Sequence, residues 1–158
     1  MITRRDFVVA TVAVCATIAV VALADSTVAP VMKSSVFAWD KLKVESNAHG
    51  TRSQVFDSRS ATLDRLECHV TTLNPGQIPH AGHRHPEEEL LIVKAGTLEA
   101  VQNGVTNHVG PGGVIFEASN EYHSLRNGGE TPATYYVIKF VPPGLSTNRT
   151  PMVSMPGQ

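Results

Sequence analysis

The segment His80-Ala81-Gly82-His83-Arg84-His85-Pro86-Glu87-Glu88-Glu89 decides how this chain is read. His83 and His85 are two residues apart, so on an extended strand both imidazoles share one face. Pro86 lacks an N–H and ends strand pairing there. The chain then turns and re-enters a strand at Glu89, which runs through Leu90-Leu91-Ile92-Val93 until Gly96 closes it. A carboxylate from the start of one strand thus meets two imidazoles from the end of another.

The flanking sequence is built the same way. Leu66, Cys68 and Val70 alternate with Glu67, His69 and Thr71, and Asn74-Pro75-Gly76 stops that run. Residues 97–101 and 105–109 flank Asn103-Gly104, a two-residue hairpin signal. Pro111-Gly112-Gly113 leads into Val114-Ile115-Phe116. His123 opens a strand to Arg126 before the turn Asn127-Gly128-Gly129, and residues 134–141 form a long last strand. Short strands, close turns and no helical period after Thr51 predict an all-β closed barrel or sandwich. No internal repeat is visible, so one barrel is expected.

Composition limits the function classes. The chain has 158 residues, enough for one domain. A formal net charge of -1 gives no basic surplus for nucleic acid. Hydrophobic residues at 42% can bury a core.

The first residues read as an export signal. Met1-Ile2-Thr3-Arg4-Arg5-Asp6-Phe7 is a short basic start, residues 7–24 carry no charge, and Ala22-Leu23-Ala24 presents small residues for cleavage. Thr3-Arg4-Arg5-Asp6-Phe7-Val8 resembles a twin-arginine signal. Two rival readings are an uncleaved anchor, since an 18-residue apolar stretch just spans a bilayer, and a lipoprotein anchor at Cys15, which Val14 disfavours because it is too large for the position before such a cysteine. The expected organisation is a signal peptide over 1–24, an N-terminal arm over 25–50, a barrel over 51–142 and a flexible tail over 143–158. Residues 34–42 are a first strand or arm anchored by Val36, Phe37 and Trp39. The protein is then exported, with a periplasmic destination, and meets membrane only in transit. Cleavage after Ala24 leaves Cys68 as the only cysteine and no internal disulfide, despite an oxidising destination.

Three imidazoles and a carboxylate suit a first-row divalent metal: His83, His85 and Glu89, with His123 opening a later strand. Neutral imidazole binds Mn, Fe, Co, Ni, Cu and Zn ions, and the carboxylate cancels one positive charge. Four protein ligands leave one or two positions for water or substrate. Closed structural zinc sites lean on cysteine, and none is placed to help.

In these residues the sequence resembles the cupin superfamily. The family's first motif runs Gly, five residues, His-x-His, three or four residues, Glu, six residues, Gly. Gly76 here is followed by six residues rather than five, and then His83-x-His85, Glu89 and Gly96 fall in register. The second motif runs Gly, five residues, Pro-x-Gly, two residues, His, three residues, Asn. Gly112, His123 and Asn127 keep that register, with Ala118 in place of the proline and Asn120 in place of the glycine. Asn is the residue that best tolerates a left-handed turn. The resemblance covers about residues 63–141. It implies a double-stranded β-helix, or jelly-roll barrel. It also implies one divalent transition metal (Fe, Mn, Ni, Cu or Zn) on His83, His85, Glu89 and His123, and pairing into a homodimer.

Simpler readings apply to the other candidates. Glu87 and Glu88 are solvated turn residues, His80 a lip residue, and His49 and His108 exposed. His69 lies on a strand near the pocket with its face undecided. Cys68 is a buried inert thiol. Phe116, Tyr136 and Ile138 read as barrel-lining core.

Fold does not choose the reaction. The first reading is a metal-dependent oxidoreductase of dioxygenase type acting on a small organic molecule, with Glu89 both ligand and base. Its weakness is a missing second acid or base, unless His80, His69 or Tyr136 supplies one. The alternatives are a non-catalytic protein that grips a small ligand through its metal, and a metal-dependent isomerase or lyase. Some lyase relatives carry a tyrosine two residues after the ligand glutamate, where Leu91 stands here.

Overall fold

Period-two alternation organises the chain from residue 45 to residue 141. A computed structural model of the protein describes residues 30–145. The export-signal reading of residues 1–24 and nearly all of the tail fall outside the described residues. After a 3-10 turn at Trp39–Lys41 come β1 (Glu45–Asn47), β2 (Gly50–Ser58), β3 (Arg65–Leu73), β4 (Glu88–Ala95), β5 (Leu98–Gln102), β6 (Val105–Val109), β7 (Val114–Glu117), β8 (His123–Asn127) and β9 (Ala133–Val141). Among the described residues no helix is long and apolar enough to cross a membrane.

The larger sheet has the antiparallel order β1-β2-β3-β9-β4-β7, and the smaller one β6-β5-β8. Their inner faces share one core, in which Leu91, Val93 and Tyr135 from the large sheet meet Leu98, Ala100 and Leu125 from the small one. This is the double-stranded β-helix that the motifs imply. The β5–β6 hairpin closes on Asn103 (φ 49) and Gly104 (φ 83), both left-handed, which matches the right-handed twist of its strands. The segment 34–42 is an arm with a 3-10 turn and no strand. It lies on the outer face of the large sheet, with Phe37 5.2 Å from Phe56 and Trp39 6.2 Å from Tyr136 between ring centroids.

Register decides which residues reach the interior. β3 and β9 pair from Arg65↔Val141 to Leu73↔Ala133, and Val137 lies opposite both His69 and Leu91. Odd-numbered residues of β9 therefore point inward: Tyr135, Val137 and Lys139 line the cavity. This corrects the expectation for Tyr136, Ile138 and Phe116, which sit one residue out of phase. A one-residue shift exchanges the two faces of a strand. Phe116 is 53% exposed on the outer side.

The same parity writes a row of ionisable residues across five strands. Asp57 pairs with Glu67, Glu67 with Lys139, Lys139 with Glu89, and Glu89 with Glu117. Two residues along, the row is His69, Val137, Leu91 and Ile115. The barrel thus has an apolar layer at Leu91 and a charged layer at Glu89.

Candidate metal centre

Backbone stitching places the imidazoles. His83 and His123 form a reciprocal antiparallel bridge: the His83 N–H donates to the His123 carbonyl at 3.0 Å, and the His123 N–H to the His83 carbonyl at 3.1 Å. The Asn120 N–H donates to the His85 carbonyl at 2.7 Å, from a residue with φ 59. Asn120 thus adopts the left-handed turn expected of it. His83 and His85 are joined to the small sheet by this single bridge and not by a full strand. The chain bends at Pro86 and Glu89 enters as the second residue of β4.

The ring nitrogens of His83, His85 and His123 lie within 4.8 Å of one another. His83 Nδ1, His85 Nε2 and His123 Nε2 are buried without a hydrogen-bond partner. The other nitrogens of two rings are held. His85 Nδ1–H donates to the Glu87 carbonyl at 2.9 Å, and His123 Nδ1–H to the Glu121 carbonyl at 3.0 Å. These bonds assign the proton to Nδ1 and leave Nε2 as a lone pair aimed into the cluster. Buried polar nitrogens without partners are costly in a native fold and call for an explanation such as an ion. The donor set fits a first-row divalent metal.

Electrostatics at His83 and His123 agree with a site built for a cation. Burial pushes the His83 imidazolium down to about 4, helped by His80, His123 and His85 nearby. Burial and the neighbouring His85 lower His123 as well. Both rings are neutral near pH 7, as ligands must be. For His85, burial opposes the proton, but the Glu89 carboxylate outweighs it and raises the value.

Glu89 is buried and lies 3.0 Å from His85 Nε2, away from a hydrogen-bonding line. It forms an ion pair with Lys139. With His85 and Glu117 it makes a second ligand-competent group, again within 4.8 Å. Glu89 thus sits at the edge of the three-imidazole cluster, toward Lys139. Two residues that the sequence reading passed over, Lys139 and Glu117, complete the wall. Glu117 is 5% exposed, faces Glu89 across the β4–β7 pair and lies 3.3 Å from His123 Nε2. Burial and the adjacent Glu89 raise its pKa, so the two carboxyls resist being ionised together. Burial alone would also raise Glu89, but His85 and Lys139 outweigh it and hold Glu89 ionised.

The remaining candidates fall as follows. His80 is exposed at the lip and packs edge-on against His83 at 4.4 Å. His69 faces the cavity and bonds Glu67 at 3.1 Å. His108 is exposed, whereas His49 is half-buried against Gln77. Glu88 is exposed, but Glu87 is half-buried beside His85, because the bend at Pro86 folds it inward. Cys68 is buried on the outer side of β3, and burial pushes its thiol up to about 11. Tyr136 packs on Trp39 and supplies nothing to the site. The cavity between the sheets measures about 700 Å3.

A jelly-roll barrel with converging histidines and glutamates at its centre defines the class. The barrel segment matches that class by sequence as well: the cupin-domain family model matches residues 69–139. Solved structures with the same fold include a double-stranded β-helix protein from Klebsiella pneumoniae. It is 25% identical with TM-score 0.56, over 72% of this chain and 95% of that one. The polyketide cyclase RemF from Streptomyces resistomycificus is 22% identical with TM-score 0.56, over 75% and 87%. A predicted oxalate decarboxylase from Thermotoga maritima is 20% identical with TM-score 0.52, over 68% and 99%. A comparison with curated protein sequences gives no match.

Proposed function

We propose that the chain is a metal-dependent enzyme acting on a small organic molecule, with one divalent transition metal held by His83, His85, His123 and Glu89. The observation that carries this reading is the gathering, within 4.8 Å of one another, of three buried imidazole nitrogens that make no hydrogen bond. A divalent transition metal there supplies Lewis acidity and, for a redox-active ion, electrons to dioxygen. The chain's own residues supply proton handling. Glu89, kept ionised by Lys139, is a base, and Glu117, kept protonated beside it, is an acid within the same wall. Leu91 and Val137 give the same wall an apolar stretch.

We read the reaction first as oxidation of dioxygenase type. The acid–base pair Glu117 and Glu89 specifically favours a second reading, isomerase or lyase, because that chemistry moves protons without an oxidant. It also weighs against a purely binding role. Oxygen consumption and product formation, followed with Fe-, Mn-, Ni-, Cu- or Zn-loaded protein on phenols, diketones and organic acids, separate the three. Oxygen-coupled product supports the first reading and oxygen-independent product the second. Stabilisation by a ligand that is never converted supports the binding alternative.

Export through the twin-arginine route suits this site, since folding first lets the barrel close on a metal chosen in the cytoplasm before Cu and Zn compete. Rerouting the protein through the unfolded-chain pathway then changes the bound metal; an unchanged metal removes the idea. A homodimer is supported by the exposed apolar Val114 and Phe116 on the outer face of the large sheet. Light scattering that returns a monomer mass overturns it.

A further inference from the structure

A second polar cluster shares the cavity, apart from the histidines. Glu67 is 5% exposed in the inner face of β3, and both its oxygens are occupied. Arg52 Nη2 donates to Oε1 at 2.8 Å, His69 Nδ1 lies 3.1 Å from the same oxygen, and Arg65 Nη2 donates to Oε2 at 2.9 Å. Arg65 makes three side-chain hydrogen bonds, because its Nε and Nη2 also bond both oxygens of Asp57 at 2.7 Å. Arg52 is less committed. A guanidinium carries five N–H donors. Among the described residues the Arg52 side chain makes one hydrogen bond, and it is 41% exposed at the cavity. Arg52 starts opposite Thr71 and runs past the His69 layer to reach Glu67, so its orientation is fixed from below. A guanidinium held by one edge with the other edge open is prearranged for a planar oxyanion.

The position matters as much as the chemistry. Glu67 and Glu89 flank Lys139 on neighbouring strands, which separates their backbones by about 10 Å. Both point into the same cavity. A small molecule with one end at the histidine cluster therefore has Arg52 within reach of its other end.

We propose that Arg52, steadied by Glu67, is the subsite that receives the carboxylate of a small bifunctional organic acid. The assignment rests on the reading above only for the ligand's other end, at the histidines. The free donors of Arg52 then pair with both carboxylate oxygens, and Lys139 lies between the two ends.

Glutarate and butyrate are the probes, because they share a short carbon chain and differ in one carboxylate. Calorimetric titration of the full-length protein as purified, with its metal content measured in the same samples, tests the subsite. Glutarate binds the wild type at least about tenfold tighter than butyrate, and Arg52→Gln weakens glutarate by about tenfold to a hundredfold. Arg52→Lys, which keeps the charge and loses the fork, restores only part of the affinity. Metal content stays at the wild-type value in both variants, and both remain folded by circular dichroism, with Tm lowered in Arg52→Gln by the loss of the Glu67 pair. Glutarate affinity unchanged in Arg52→Gln, or no glutarate binding by the wild type, overturns the subsite while a retained metal leaves the metal reading standing. Arg52-dependent glutarate binding by a protein found free of metal keeps the subsite and overturns the metal reading.

Discussion

At the residue scale, two buried polar side chains do structural work that can be measured. Asn127 is 1% exposed, its Nδ2 donates to the Leu73 and Thr131 carbonyls at 2.9 and 2.8 Å, and its Oδ1 accepts from the Gly129 N–H at 2.9 Å. Asn127→Ala leaves those backbone groups unpaired, so urea denaturation should show a loss of about 2–4 kcal/mol. Glu67 makes the acid sensitivity of the fold. The His69 hydrogen bond and the Arg65 charge overcome burial and hold its carboxyl at about 2 against an ordinary 4.5. A lowered value means that the unfolded chain binds the proton first as pH falls. The stabilisation is therefore complete above pH 4.5 and is lost on descent through about 2. In chelator-treated protein, the stability gap between wild type and Glu67→Gln should shrink across that window by on the order of 3 kcal/mol. A gap independent of pH would show that Glu67 is not ionised in its network.

At the element scale, the turns hold the strands to a register that the site depends on. Gly96 ends the β4 run with φ 75, and a Cβ there would lie 2.6 Å from Ala133 Cα at the start of β9. Gly76 has a similar φ of 74 but open space around it. Gly76→Ala should cost about 1–2 kcal/mol from backbone strain alone. Gly96→Ala should cost clearly more, since it also forces β9 away from the β4–β5 turn. Equal losses in thermal denaturation would contradict the close approach. The same register explains what the sequence could and could not reveal. His83, His85 and Glu89 were legible as candidates because local spacing and turn residues set them, and His123 because it keeps the register of the second motif. Glu117 was hidden at the end of Val114-Ile115-Phe116, since only the pairing of β4 with β7 puts it opposite Glu89. Lys139 was hidden because the parity of β9 is fixed by its partners β3 and β4, and the alternative parity made Tyr136 look like the inward residue. Side-chain pairing across a sheet is non-local, and one sequence does not contain it.

At the scale of the whole molecule, the two sheets form a barrel with one apolar and one ionisable layer, and the second carries the chemistry. The described residues contain no disulfide, with Cys68 a free buried thiol, so core burial and a bound ion are the available sources of stability. Loading with a divalent metal should raise Tm, with the stabilisation growing as the logarithm of free metal above its Kd, and chelation should reverse the shift. His85→Ala should abolish the shift, because His85 belongs to both ligand-competent groups. The most direct test of the account is elemental analysis of the full-length protein, produced without added metal, beside His83→Ala and His123→Ala. About one Fe, Mn, Ni, Cu or Zn ion per chain, lost in both variants, is the predicted result. A wild-type protein without stoichiometric metal would contradict the central claim and leave the three converging imidazoles without a function.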